Sequence, residues 1–131
     1  MKINTVKNIC LSLLALLIIF NPLTTVDALS PDWMIVPKSP YGEQFWDKRS
    51  VQKNQDGSIR VFSKFIPNST TKITQDILYT MDINCSNKSF RDVGVGTKEL
   101  NEFTNKDLEW KKPNGDKLIL GVIDQVCIFA N

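Results

Sequence analysis

"DILYTMDINC", residues 76–85, decides the fold. Ile77, Tyr79, Met81, Ile83 and Cys85 recur at every second position, Asp76, Thr80, Asp82 and Asn84 fall between them, and Leu78 is the apolar exception. A period of two marks a strand with one buried face, because successive side chains point to opposite sides of the pleat. The segment therefore reads as a half-buried β-strand with Cys85 facing inward. The same alternation assigns Asp76 and Asp82 to a solvated outer face.

Working outward, the flanking segments read as more strands. "DWMIV" (32–36) is short, apolar and stopped by Pro37, and "EQFWD" (43–47) follows a turn holding Pro40 and Gly42. "NQDGS" (54–58) carries an Asp56-Gly57 pair suited to a tight hairpin, which feeds "IRVFSKFI" (59–66). Phe90 to Val95 makes another strand, whereas Gly96 to Lys112 is polar and without a firm period. The pattern then changes. In "PNGDKLILGVIDQVC" (113–127), Leu118, Ile119, Val122, Ile123, Val126 and Cys127 recur at three- and four-residue spacing, the apolar face of a helix. Asn114 or Asp116 is its expected cap, and Gly121 weakens it by up to ~1 kcal/mol relative to alanine. The expectation is an α+β domain: an antiparallel meander of about five or six short strands with a C-terminal helix packed on it.

The first 28 residues read differently. Lys2 and Lys7 precede an apolar run from Ile9 to Phe20, Asn21 and Pro22 break it, and Val26 and Ala28 are the small residues a signal peptidase reads. Cleavage after Ala28 is expected, so residues 1–28 are a signal peptide and 29–131 the domain. A membrane anchor is the alternative, but the run falls short of the ~20 apolar residues that span a bilayer. Lys7, Asn8 and Ile9 before Cys10 do not make a lipobox. With a net charge of +2 and no charge run, nothing points to nucleic acid.

Removal of the leader leaves two cysteines, Cys85 and Cys127, in a compartment where disulfides persist. Pairing them closes a loop whose crosslink is worth about 4 kcal/mol in the chain-entropy model. The alternative is two free thiols at a reactive or metal site. It is disfavoured because zinc takes four ligands and the chain has no histidine.

The same lack of histidine removes the usual base of serine and cysteine nucleophiles. Asp76 and Asp82 would lie roughly 20 Å apart along a strand at ~3.3 Å per residue, too far for either glycosidase geometry. "GVG" (94–96) lacks the lysine and glycine spacing of a phosphate loop. Asn54, Asp56 and Ser58 imitate a calcium loop, but glycine falls at its fourth position and Phe65 where the closing glutamate belongs. The sequons at Asn68, Asn84 and Asn87 are read as coincidental. No cofactor, no metal and no catalysed reaction are expected.

A recognition face is the stronger candidate. If Ile59, Val61 and Phe65 face the core, Arg60, Phe62 and Lys64 line the opposite side, an aromatic ring between two cations, joined by Arg91 from a neighbouring strand. Such a row can anchor a macromolecular partner. The plainer reading is an ordinary edge or helix-covered strand.

Taken in order, these segments resemble the surface-adhesin protein E family of secreted bacterial proteins. The resemblance rests on "DWMIVPKSPYGEQFWDKRSV", on "MDINCSNKSFR", and on a closing "WKKP" followed by an apolar helix ending in cysteine. The matched positions are Phe45 or Trp46, Asp47 and Ser50; then Asp82, Cys85 and Arg91; then Trp110, Pro113 and Cys127. The resemblance implies an antiparallel sheet with a C-terminal helix, a disulfide, and display outside the cytoplasm: periplasmic, on the cell surface or secreted. It also implies a non-catalytic role in binding extracellular-matrix or envelope macromolecules, the partner being a protein ligand or a second copy. The alternative function is a periplasmic inhibitor of the lysozyme-inhibitor type. The family's ligand-binding segments match no positions here, so no binding residue transfers.

Overall fold

Alternating apolar side chains need a surface to cover them, and the sheet and helix supply it for each other. In a computed structural model, which describes residues 29–70 and 72–131, all the strands join one antiparallel sheet. They are β1 (Trp33–Ile35), β2 (Gly42–Asp47), β3 (Gln52–Lys53), β4 (Ile59–Pro67), β5 (Ile77–Asn84) and β6 (Ser89–Val95), followed by one helix, α1 (Lys117–Ala130). The order across the sheet is β1-β2-β4-β5-β6, and β3 pairs with β4 beside this path. The expected α+β meander with its terminal helix is what forms. The leader and its cleavage after Ala28 lie outside the described residues.

The role of β3 follows from the register. β2 pairs with the second half of β4, Trp46 opposite Ser63, and β3 with the first, Gln52 opposite Arg60. The two strands are thus one line along β4, interrupted by a 3-10 turn at Lys48–Ser50. Asp47 holds that interruption: its carboxylate accepts from the N–H of Arg49 at 3.0 Å and of Asp32 at 2.8 Å. Ser50 completes it by donating to the Asp47 carbonyl and accepting from the Phe62 N–H at 2.8 Å.

Inward-facing residues meet the helix. Val61, Met81 and Ile83 from the strands are fully buried against Val122, Ile123 and Val126 of α1, with Trp46 and Val36 at one side. Tyr79 and Phe65 are only partly buried and pack at the rim of this core. Trp46 donates its indole N–H to Gln125 Oε1 at 2.7 Å and packs on Phe129, with ring centroids 5.8 Å apart. Asp116, rather than Asn114, caps α1, accepting from the N–H groups of Leu118 and Ile119.

Two glycines mark close approaches. Gly42 sits at φ 154°, and a Cβ there would lie 2.3 Å from the Ile66 carbonyl oxygen. Gly121 faces Val36, whose Cβ would be 3.0 Å from a side chain at that position. The residue that weakens the helix by propensity is thus the one that lets the helix close on the chain after β1.

Cys85, just past the end of β5, is bonded to Cys127 on α1 with their Cα atoms 5.6 Å apart. The staple ties the turn between β5 and the edge strand β6 to the last turns of the helix.

One reading of the alternation fails. Asp82 has outer-face parity, yet it is fully buried, not solvated. It is covered because two arginines and an asparagine converge on it. Asp76 lies before β5 and is exposed, as expected.

Candidate recognition face

The sheet surface away from α1 carries all four candidate residues. Register puts Arg60 opposite Asp82 on β5, and Asp82 opposite Arg91 on β6, so the two arginines flank one carboxylate across three strands. Arg60 donates Nε to Asp82 Oδ1 at 2.8 Å and Nη2 to Oδ2 at 3.0 Å. Arg91 donates Nε and Nη2 to Oδ2 at 3.2 and 3.1 Å. Asn54 adds an amide donor to Oδ1 at 3.1 Å.

Burial works most strongly against the charged Asp82, but these donors outweigh it and hold its pKa below the usual carboxylate range. Its hydrogen bonds in turn raise the pKa of Arg60. The Arg60–Asp82 bond is bidentate, the geometry in which such a pair is strongest. The hairpin before β4 is bound into the same cluster: Asn54 also donates to Ser58 Oγ, and Ser58 donates its N–H and Oγ–H to Asp56 Oδ1 at 2.9 and 2.6 Å. The residues that imitate a calcium loop are here a turn tied to a buried ion pair.

Arg91 has a second contact. Its guanidinium carbon lies 4.5 Å from the centroid of the Trp110 ring, brought there by the Phe90–Lys111 bridge that lays the segment after β6 along its edge. Lys64 is likewise engaged, its ammonium 4.7 Å from the Trp33 centroid and 5.3 Å from that of Phe45. These bonds use Nε and Nη2 of both arginines and leave each Nη1 outside them. Phe62, between Arg60 and Lys64, is 51% exposed, and Leu78, opposite Lys64, is 53% exposed.

Phe62 and Leu78 border a groove of about 510 Å³ that Val93, Gly94 and Leu100 also line. Gly94 packs closely on its cross-strand neighbour, for a Cβ there would come within 2.9 Å of Thr80 Oγ1. Sequence reasoning did not include Leu78 or Leu100 in the face. Leu78 was legible as the apolar residue at an outer-face position, whereas Leu100 lies in a segment with no period to read.

A single disulfide-stapled antiparallel sheet covered by one helix, with an aromatic and cationic opposite face, defines a small domain of the α+β class. A family model described as the surface adhesin-E family matches residues 34–131. The chain belongs to the surface adhesin-E family. No curated protein and no solved structure matches it.

Asp82, Arg91 and Trp110 form one stack of carboxylate, guanidinium and indole, and Asp47 with Ser50 builds the turn between β2 and β3. No helix among the described residues is long and apolar enough to cross a membrane.

Proposed function

We propose that the protein is a non-catalytic adhesin module, exported by cleavage after Ala28, that binds a protein ligand outside the cytoplasm through the sheet face opposite α1. The observation that carries this reading is the half-exposed pair Phe62 and Leu78 beside the groove, in a chain of the surface adhesin-E family. Exposed apolar side chains set among charged ones are characteristic of interaction sites. Phe62 supplies most of the apolar area. Lys64 and the free Nη1 groups of Arg60 and Arg91 supply orientation, because the bonds that hold these cations also rigidify them.

Binding of the purified protein to a panel of extracellular-matrix proteins, with Phe62→Ala as the comparison, tests the site. A loss of about 1–3 kcal/mol in association with the fold intact is expected. Unchanged affinity would remove this face from the reading. Export is tested separately: secreted material should begin at Leu29, and material retaining residues 1–28 would revive a membrane anchor.

A further inference from the structure

The helix side of the sheet holds a second cavity that the adhesin face does not use. It is about 700 Å³ in volume and lies between β6 and the start of α1. Tyr41, Tyr79 and Phe90 wall it, and its charged lining is Asp92, Asp116 and Lys117. Two carboxylates against one exposed ammonium leave the lining acidic.

The two carboxylates are not equivalent. Asp116 caps α1 through Oδ1. Asp92 is only partly exposed, and its carboxylate has no hydrogen-bond or ion-pair partner among the described residues; Lys111 attracts it without reaching ion-pair distance. No fully buried side-chain oxygen among the described residues lacks a partner. The unbonded Asp92 oxygens therefore open onto free space, and the space beside them is the cavity. Burial holds this carboxyl above its ordinary pKa, a penalty that an incoming cation would offset.

The protein already displays the arrangement that satisfies such a pair of groups. On the other face, Arg91 forks onto the Asp82 carboxylate while its guanidinium lies against the Trp110 ring. The cavity offers the same two partners, a carboxylate and aromatic rings, to a side chain from outside. A guanidinium can fork onto the carboxylate and lie flat against a ring at once, whereas an ammonium, which can sit over a ring as Lys64 does, has neither the fork nor the planar stacking.

We propose that this cavity receives one arginine side chain of a polypeptide partner, its guanidinium paired with Asp92 and stacked against Tyr79 or Phe90. The site lies on the other side of the sheet from Phe62 and Leu78, and Tyr79 is the one described residue that borders both this cavity and their groove.

The test is an NMR titration of the disulfide-bonded protein with N-acetyl-arginine methylamide, alongside the equivalent citrulline and lysine compounds. Saturable shifts at Tyr79, Phe90, Asp92 and Asp116 are expected with arginine. Citrulline should give none, lysine weaker ones, and Asp92→Asn should weaken arginine binding by about tenfold or more, the scale of one charge-assisted pair. Phe62→Ala should leave the shifts intact. Absent saturation, equal binding of citrulline or lysine, indifference to Asp92→Asn, or loss with Phe62→Ala would each overturn the assignment.

Discussion

Arg60 holds the buried carboxylate of Asp82 through two parallel bonds, Nε to Oδ1 at 2.8 Å and Nη2 to Oδ2 at 3.0 Å. The pair sits opposite itself in register on β4 and β5, and Arg91 reaches the same carboxylate from β6. Three strands are thus fastened at one charged point on the side of the sheet away from the helix. Removing one arginine leaves the other in place. Removing Asp82 leaves two guanidiniums side by side without their shared counter-charge, and Asp82→Ala should therefore lower stability by about 3–5 kcal/mol in urea unfolding at neutral pH, the range for breaking a buried pair. A loss below ~1 kcal/mol would mean the cluster is an exposed, screened contact.

Two aspartates should give opposite pH dependences. The folded-state pKa of Asp82 is depressed, so its contribution is complete above the ordinary carboxylate value of ~3.9 and disappears as pH falls through the folded value. That of Asp92 is raised, so its contribution declines as pH rises from ~3.9 through the folded value. Urea midpoints measured from acid to neutral pH should lose part of their acid-side fall in Asp82→Asn. In Asp92→Asn the protein should be at least as stable as the parent at neutral pH. A less stable Asp92→Asn protein would show that the carboxylate has a structural partner.

The staple is expected to be stoichiometric. Non-reduced peptide mapping should recover residues 85 and 127 crosslinked, with no reactive thiol in the folded domain, and the double serine variant should lose roughly 2–5 kcal/mol. Quantitative thiol labelling of the native protein would contradict this.

Gly42 should tolerate no side chain. Gly42→Ala would drive a methyl group into the Ile66 carbonyl at a backbone angle that L-residues rarely adopt, and a loss of at least ~2 kcal/mol is expected. Gly121→Ala is the more informative variant. Helix propensity favours it by about 1 kcal/mol, while the contact with Val36 opposes it as overpacking, at ~1–3 kcal/mol. A net loss is expected by thermal unfolding, and a net gain would show that the segment after β1 can move aside.

Phe62→Ala should separate recognition from folding. Half its surface is already in solvent, so unfolding should change by less than about 1 kcal/mol even where association falls tenfold or more. An unfolded variant would return Phe62 to the core.

Local pattern by itself determined the longer strands, the helix and which way most side chains face, but not the two-residue β3 at Gln52–Lys53, which is too short to show a period. Alternation in Ile77 to Ile83 and the three- and four-residue spacing of Leu118 to Val126 are repeats that only one kind of backbone can bury, so they read directly as structure. The same repeats placed Cys85 and Cys127 where a bond could join them, and put Arg60, Phe62 and Lys64 on one face. What alternation could not supply was the environment beyond that face. Asp82 has the parity of a solvated residue and becomes fully buried because Arg60, Arg91 and Asn54, distant in sequence, close over it once the register is set. Gly121 scores as a helix weakness until Val36 lies against it. Leu100 and Trp110 stand in a segment without a period, and their places beside the groove and over Arg91 exist only because that segment lies along the edge of β6. Facing direction is a property of neighbouring residues in the chain. Burial, ion pairing and cavities are properties of neighbours in space, and only the tertiary structure decides those.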